Sequence, residues 1–161
     1  MRDPLEQKVI DHLESLGADF EVIEIDPEFA DTTAFCEKYG YSLEESANAI
    51  LIASKRPVGK FCLCLALATT RLDVNHRVRS LLGVRKLSFA QGEQTVTVTG
   101  MEIGGVTPFG LTSPPTVYVD SAVVALDRII VGGGTRAMKV RLDPEVFGRM
   151  AEAEVVIDLA S

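Results

Sequence analysis

The sequence predicts one mixed α/β domain, and three observations lead to this fold class. The first is an apolar repeat at helical spacing near the N-terminus, and the second is a pair of apolar runs typical of buried strands. The third is size, because 161 residues with 47% hydrophobic content can bury one substantial core. No internal repeat, low-complexity tract or linker divides the chain, so we expect a single domain over residues 1–161.

The expected elements follow one another with short connections. Helical periodicity marks the helices, and apolar or alternating runs bounded by Gly, Pro and Asp mark the strands. In chain order the residues predict a helix over 5–16, a strand over 20–25, a helix over 31–38, strands over 49–53 and 61–68, a helix ending at Gly83, a strand over 116–119, a helical turn at 121–126, strands over 128–131 and 137–142, a helix from Asp143 and a strand over 154–159. The strands at 49–53 and 61–68 are close enough to form a hairpin.

Two helix starts carry capping signals. Ser42 and Glu45 fit a capping box, in which Ser42 caps the helix and the Glu45 side chain reaches back to it. Asp73 and Asn75 are alternative caps for the helix that ends at Gly83. We therefore expect both helices to begin where a side chain satisfies free backbone N–H groups.

The cysteines predict buried thiols. Cys36, Cys62 and Cys64 are odd in number and lack the spacing of a disulfide framework or a paired zinc knuckle. Cys62 and Cys64 alternate within an apolar strand, so both side chains should point to one face.

Charge is distributed unevenly along the chain. The net charge is −7, and residues 1–54 carry thirteen acidic side chains against three basic ones. Residues 55–86 carry eight basic side chains and one acidic one, and residues 87–161 are again acidic. The acidic balance argues against general binding to DNA. The basic segment 55–86 is either a solvated face or a contact for one local part of a polyanion.

Targeting and membrane signals are absent from the sequence. No apolar run approaches the roughly 20 residues of a membrane span. The N-terminus has no apolar signal region and begins an amphipathic pattern almost at once. We therefore expect a cytoplasmic protein without a membrane partner.

Familiar catalytic motifs are also absent. The two histidines, His12 and His76, do not suggest a Ser–His–Asp triad, and we expect His12 to be solvated on its helix. The chain lacks a P-loop, an H-E-x-x-H pair and a G-x-G-x-x-G after a strand. We therefore expect no metal, nucleotide or dinucleotide cofactor.

The segment 99–110, TGMEIGGVTPFG, is the most informative part of the chain. It combines Gly104, Gly105 and Gly110 with Pro108 and carries almost no charge. Glycine permits close approach to backbone amides, and proline restricts the shape of the loop. The residues alone fit either an ordinary turn or a pocket lined by backbone N–H groups.

The same segment resembles the TG-x-x-x-GG-[VI]-[ST]-P-[LIF]-G signature of the YbaK/EbsC family, small proteins related to the editing domain inserted in bacterial prolyl-tRNA synthetases. The runs LDVN, LLGVRK, VYVD and IIVGGG resemble further family motifs in the same order. The resemblance covers roughly residues 5–158 and implies a curved mixed β-sheet flanked by helices. It also implies a short helix at residues 95–99, although TVTVT alternates like a β-branched strand.

The resemblance implies a free-standing deacylase that hydrolyses the ester between a wrong amino acid and the 3′ end of a tRNA. Because this ester is already activated, positioned water and donors for the oxyanion can suffice. The implied partner is the tRNA acceptor end, with transient contact to an aminoacyl-tRNA synthetase. The implied catalytic residues are Asn48, Gly104 and Gly105, and the implied substrate-binding residues are Thr107, Pro108, Lys55, Lys60, Arg71, Asp73, Gly134 and Arg136.

Position 48 departs from the family pattern. Many relatives carry a lysine in a [VI]-x-K-[TS]-L strand, and the matching run here, residues 47–51, has Asn48 in its place. Loss of a charge-assisted contact removes about 1.5–3 kcal/mol of binding. The resemblance also places Arg136 where a histidine is frequent, so Arg136 could bind a phosphate or carboxylate.

Two alternative functions remain beside the deacylase, and the first of them follows from this departure. The first is a catalytically weak or silent binding module for tRNA ends or aminoacyl groups, because Asn48 is neutral. The second and weaker one is a protein that partners a synthetase or another protein through a surface patch.

Overall fold

The computed structural model describes all 161 residues and contains eight strands, five α-helices and shorter helical turns. In chain order the main elements are α1 (Pro4–Ser15), β1 (Phe20–Glu24), α2 (Thr32–Tyr39), β2 (Ala47–Arg56), β3 (Val58–Leu67), α3 (Arg79–Leu82), β4 (Lys86–Phe89), α4 (Gly92–Thr99), β5 (Thr116–Asp120), α5 (Ser121–Val124), β6 (Ile129–Gly132), β7 (Met138–Leu142) and β8 (Ala153–Val156). Short 3₁₀ turns occupy Pro27–Phe29, Leu43–Glu45 and Pro144–Arg149, and a π-helical turn at Val74–Val78 leads into α3. The predicted mixed α/β fold class is confirmed.

The strands are divided between two sheets. A five-stranded mixed sheet has the order β4-β2-β3-β5-β8, and a three-stranded antiparallel sheet has the order β1-β7-β6. β2 and β3 form the predicted hairpin, and β5 continues the sheet in parallel with β3. The two sheets meet at the start of β2, where Ser46 forms a β-bridge with Ile130 of β6.

Three apolar clusters hold these layers together. The largest joins α1 to both sheets and includes Leu13, Phe109 and Phe147. A second cluster lies between α3 and the five-stranded sheet. The third packs α2 against the three-stranded sheet through Phe35 and Ile130. The three-stranded sheet is therefore covered on both faces, by the main core on one side and by α2 on the other.

The predicted burial is confirmed for Cys62 and Cys64, whereas Cys36 is only half-buried. All three cysteines are free, and the Sγ atoms of Cys62 and Cys64 lie 3.9 Å apart in the second cluster. Contact with the Cys62 thiol, together with burial, raises the pKa of the Cys64 thiol. Burial therefore favours the neutral thiol form of Cys64.

The cap of the helix before Gly83 is Asp73. Its side chain accepts the backbone N–H of His76, and Asn75 lies within the first turn. Gly83 ends α3 in the left-handed conformation at φ +68°. Of the two alternative caps, the residue that comes first in the chain is the one used.

The predicted capping box at Ser42 is wrong. Ser42 accepts the backbone N–H of Glu44, and only a short 3₁₀ turn follows. The Glu45 carboxylate lies instead 3.0 Å from Arg141 of β7. Because Glu45 forms a long-range ion pair with Arg141, its side chain is not available for the capping box.

Residues 95–99 are helical, as the resemblance implied against the local pattern. They form the second half of α4, where the Thr99 hydroxyl donates to the Thr95 carbonyl at 2.7 Å. Gly100 ends this helix at φ +72°. The burial of Thr95 and Thr99, one helical turn apart, overrides the strand propensity of the β-branched residues.

The C-terminal elements are shorter than the sequence predicted. Asp143 caps a 3₁₀ turn with Pro144 at its first position, and no α-helix forms there. The last strand ends at Val156, three residues before the predicted end. None of the helices has the length and apolar character that a membrane crossing requires.

Candidate functional site

A cavity of about 350 Å³ lies at the junction of the two sheets. Its walls are residues 47–51 of β2, residues 130–132 of β6, the start of α2, and the loop at 103–106. This volume falls at the lower end of the roughly 300–1,000 Å³ typical of small-molecule sites. The cavity is therefore large enough for a small substrate group.

The cavity borders a stretch of β2 that has a neighbouring strand on one side only. β4 pairs with β2 from Ile52 to Arg56, and the Ala90 N–H donates to the Leu51 carbonyl just beyond that point. In an antiparallel strand, the N–H and C=O groups of residues i and i+2 point to the same side. The N–H and C=O of Ala49 therefore point to the same side as the Leu51 carbonyl, beyond the end of β4. An N–H and a C=O of the sheet edge are therefore presented to the cavity.

The glycine-rich loop rests directly on the turn that follows β6. A Cβ on Gly105 would collide with the Thr135 carbonyl, and a Cβ on Gly132 would lie 2.6 Å from the Val106 carbonyl oxygen. The Gly134 N–H also donates to the Gly105 carbonyl at 2.7 Å. The two glycine-rich segments thus pack backbone against backbone, which only glycine permits.

Arg136 fastens this loop to the start of α2. Its backbone N–H donates to the Glu102 carboxylate at 2.8 Å, and its Nη1 donates to the Ile103 carbonyl at 3.1 Å. The same Nη1 lies 3.4 Å from Asp31, the N-cap of α2. Gly104 sits beneath the guanidinium at φ +95°, where any side chain would collide with it. Arg136 therefore shapes the rim of the cavity.

Asn48 lies on the cavity wall with one of its polar groups already engaged. Its Oδ1 accepts a hydrogen bond from the Thr32 hydroxyl at 2.9 Å. The amide N–H groups of Asn48 remain available, so this neutral side chain can donate to a ligand but cannot supply charge.

Lys139 is a wall residue that sequence reasoning missed. It is only 7% exposed, and its Nζ lies 5.2 Å from the centre of the Phe35 ring. Burial lowers the pKa of Lys139; Cys36 and Asp31 act in the opposite direction, and Arg136 in the same direction. The run MKVRL alternates like a half-solvated strand, so its pattern predicts an exposed lysine. No local signal reveals that α2 covers this face.

Asp31 and Lys139 are the only charged residues among the 19 that line the cavity. The other lining residues are mainly small or apolar, and none is a histidine. No group of three or more His, Cys, Asp and Glu side chains lies close enough together to hold a metal ion. The cavity wall therefore carries one carboxylate and one amine, and the Arg136 guanidinium lies beside that carboxylate at the rim.

The residues predicted for the site are distributed over three places. Asn48 and Gly104 line the cavity, whereas Gly105, Gly134 and Arg136 support the loop beside it. The remaining predicted residues lie outside the cavity wall: Thr107, Pro108, Lys55, Lys60, Arg71 and Asp73. Thr107 and Pro108 are buried beneath the loop, and the Thr107 hydroxyl has no hydrogen-bond partner.

The basic segment 55–86 is divided between two parts of the structure. One part, the hairpin cations, consists of Lys55, Arg56, Lys60, Arg85 and Lys86 around the β2–β3 turn and β4. The other part contacts the C-terminal residues, since the Arg71 N–H donates to the Ser161 carbonyl and the Arg77 Nε to the Ile157 carbonyl. Only the hairpin cations lie on the strands that lead to the cavity.

His12 has a structural partner, so the expectation of a solvated histidine is wrong. Its Nδ1 accepts the backbone N–H of Gly110 at 2.9 Å, and its ring meets Phe109 edge-on with centroids 6.0 Å apart. Gly110 can approach because it has no side chain to collide with the backbone of α1. α1 therefore anchors the far end of the glycine-rich loop.

Residues 26–149 match the family model described as the aminoacyl-tRNA editing domain. The chain belongs to the aminoacyl-tRNA editing domain family. The matched region contains every residue that lines the cavity. The resemblance to the YbaK-type editing domain that the motifs predicted is thereby confirmed.

Individual proteins resemble this editing domain over nearly its whole length. The uncharacterized protein YwhH of Bacillus subtilis (strain 168) is 26% identical over 148 residues, which are 92% of each chain. A crystal structure of a candidate trans-editing enzyme for prolyl-tRNA synthetase is 23% identical, with a TM-score of 0.80 and 98% of each chain covered. The hypothetical protein APE2540 is 20% identical, with a TM-score of 0.84 over 96% of this chain and 99% of its own. The two structures establish the shared fold.

Proposed function

We propose that the protein is a trans-editing hydrolase that deacylates mischarged tRNA by hydrolysing the ester at its 3′ end. The family supports this class of reaction, and the cavity between β2 and the Gly104 loop is the observation that carries the proposal. Its limited volume would admit a small amino acid and exclude a larger one.

The cavity wall suits a reaction driven by positioning. Hydrolysis of an activated ester requires a held carbonyl, an oriented water and donors where negative charge develops. Ala49 supplies a backbone N–H and C=O, Asn48 supplies amide donors, and Gly104 brings the loop backbone close. The absence of a histidine from the wall agrees with a mechanism that relies on orientation.

The hairpin cations provide a contact for the acceptor-end phosphates. Lys55 stands four residues beyond Leu51 of the cavity wall, which corresponds to roughly 13 Å along a strand. β4 likewise runs from Lys86 to Phe89, which directly precedes the wall residue Ala90. A tRNA end bound in the cavity would therefore pass these basic side chains, and its affinity should fall as salt rises.

The test is a deacylation panel with tRNAs that carry alanine, serine, threonine and cysteine. We expect hydrolysis of at least one ester well above the buffer rate. Gly105→Ala should lower that rate by about a hundredfold, because its Cβ displaces the loop from Thr135. Gly148→Ala is the matched control, since a Cβ there meets nothing within 4 Å. Buffer-rate hydrolysis of all four esters by the wild type would overturn the proposal.

A second candidate is a binding module of the same fold without turnover, and the neutral Asn48 on the wall favours it. A non-hydrolysable amide analogue of aminoacyl-adenosine separates the two. Saturable binding of the analogue by a wild type that hydrolyses none of the esters would support the binding module. Gain of hydrolysis in Asn48→Lys would then show that the wild type is inactive because position 48 lacks a positive charge.

A further inference from the structure

Lys139 reaches the cavity because of its register in β7. It lies opposite Ile23 of β1 and Gly132 of β6. Its neighbours Met138 and Val140 belong to the main core, so the Lys139 side chain points to the other face of the sheet. Gly132 also lines the cavity, and the backbone of the glycine-rich loop packs against it where a side chain would stand.

The amine of Lys139 has no polar partner within the chain. Its Nζ packs over the Phe35 ring and makes no hydrogen bond or ion pair with any side chain or backbone group. Lysines are almost never this deeply buried unless they are paired. Burial lowers the pKa of Lys139, and the charged or titratable groups that face it are Asp31, Cys36 and Arg136. An unpaired amine that faces a cavity is placed to meet a ligand atom.

Lys139 is the cation near the cavity that is free to contact a ligand. The Arg136 guanidinium is held by Asp31 and by the Ile103 carbonyl, and Asn48 is neutral. The wall thus presents one carboxylate, Asp31, and one unpaired amine, Lys139. An aminoacyl ester has the complementary groups, an α-ammonium for the carboxylate and an electron-rich carbonyl oxygen for the amine.

We propose that Lys139, as an ammonium ion, donates from Nζ to the carbonyl oxygen of the bound aminoacyl ester, while Asp31 receives the α-ammonium group. This inference rests on the proposed deacylase function and names the catalytic donor of that site. It also favours esters of amino acids with a free α-amino group, because that ammonium would join or replace Arg136, 3.4 Å away, as the cationic partner of Asp31.

The reaction then proceeds with Lys139 as a donor that keeps its proton. Water forms a bond to the carbonyl carbon, and the π electrons of the carbonyl move onto the oxygen that Nζ holds. Collapse of the resulting tetrahedral intermediate breaks the bond between the carbonyl carbon and the ribose oxygen. The proton released by the attacking water ends on that ribose oxygen. The products are the free amino acid and a tRNA with its 3′ hydroxyl restored.

Steady-state deacylation kinetics of Lys139 variants provide the first test. We expect kcat of Lys139→Gln and Lys139→Met to fall about a hundredfold or more, with KM changed less than about threefold. Lys139→Arg should retain part of the activity because it keeps the charge. Lys38→Gln is the matched control, since Lys38 also lies 5.2 Å over a phenylalanine ring but outside the cavity. A purely structural lysine would be replaced well by the methionine, which fills similar space.

Amine labelling provides a second test that does not depend on turnover. The protein is labelled with trace acetic anhydride, with and without the alanyl amide of 3′-amino-3′-deoxyadenosine, and modified lysines are quantified by mass spectrometry. We expect this analogue to protect Lys139 and to leave Lys38 unchanged. Equal labelling of Lys139 in both samples would overturn the contact.

The outcomes separate this proposal from the function on which it rests. An active wild type with equally active Lys139→Gln and Lys139→Met would overturn the role of Lys139 and leave the deacylase intact. A wild type that hydrolyses no ester would overturn the deacylase and the catalytic role together, and protection by the analogue would then support only the binding contact. Loss of kcat in both neutral variants, with protection of Lys139, supports the whole proposal.

Discussion

Two lysine–phenylalanine pairs in this protein share a geometry and differ in their surroundings. Lys139 Nζ lies 5.2 Å from the Phe35 ring centre, and Lys38 Nζ lies 5.2 Å from the Phe29 ring centre. The first pair is buried beside the cavity, whereas Lys38 is exposed on the outside of α2 and Phe29 is half-buried. A cation–π contact is worth about 0.5–1 kcal/mol in water and about 2 kcal/mol or more when desolvated. Exclusion of water, and not the contact distance, distinguishes the two lysines.

The largest difference between the pairs should appear when the rings are removed. Phe35→Ala should lower the free energy of unfolding by about 3–5 kcal/mol, because Phe35 is fully buried and also stacks on Tyr41. Phe29→Ala should cost about 1 kcal/mol. Urea denaturation at equal m-values measures both losses. Equal losses would show that the ring contact itself, and not burial, dominates.

Removal of the lysines should give a smaller effect of opposite sign. Lys139→Met should raise the free energy of unfolding at neutral pH, by on the order of 1 kcal/mol, because a buried amine with no ionic partner is replaced by an apolar chain. Lys38→Met on the exposed face should change it by less than about 0.5 kcal/mol. Denaturation of both variants beside the wild type measures the difference. A destabilised Lys139→Met would mean that the ring contact outweighs the cost of burying the charge.

The gain from Lys139→Met should depend on pH in a defined direction. The folded protein holds the pKa of Lys139 below its unfolded value, so unfolding takes up a proton between the two values. Wild-type stability therefore rises with pH across that window, and the cost of the buried ammonium is fully present only below it. The advantage of Lys139→Met should shrink as pH rises through the lowered pKa toward 10.5. A gain that stays constant from pH 7 to pH 10.5 would contradict this linkage.

The smallest effect on stability should come from the carboxylate that faces Lys139. Asp31→Asn removes an exposed ion pair with Arg136, so unfolding should become easier by less than about 1 kcal/mol. Because Asp31 raises the pKa of Lys139, its loss should lower that pKa further, and titration of the Lys139 side chain by NMR would measure the shift. Glu37→Gln, an exposed change on the same helix, is the control. An unchanged Lys139 titration in Asp31→Asn would show that the two groups do not interact.

Local sequence signals predicted most of the elements that build the site. Helical spacing located α1, the apolar runs located the β2–β3 hairpin, and the glycine-rich segment 99–110 located one wall of the cavity. Only the family resemblance predicted α4 correctly, because the local alternation of Thr and Val favours a strand. Family motifs thus carried tertiary information that the residues by themselves did not.

Two of the errors share one physical cause, which is a partner distant in the chain. Glu45 leaves its capping box for Arg141, and His12 accepts a hydrogen bond from Gly110. Each contact joins residues about a hundred positions apart, and neither is visible in the surrounding sequence. Side chains with more than one good partner are therefore the least predictable part of this fold.

The sequence by itself determined the order of most elements, though not β4, as well as the glycine-rich loop and the neutral Asn48, because these depend on neighbours within a few residues. Only the tertiary structure decided that the first half of β2 borders a cavity and that α2 covers the face of β7 that carries Lys139. Alternation in a strand assigns side chains to two faces but does not say whether both faces are covered. Burial is decided by elements brought together from far along the chain, and burial turns Lys139 from a surface cation into the amine of the site.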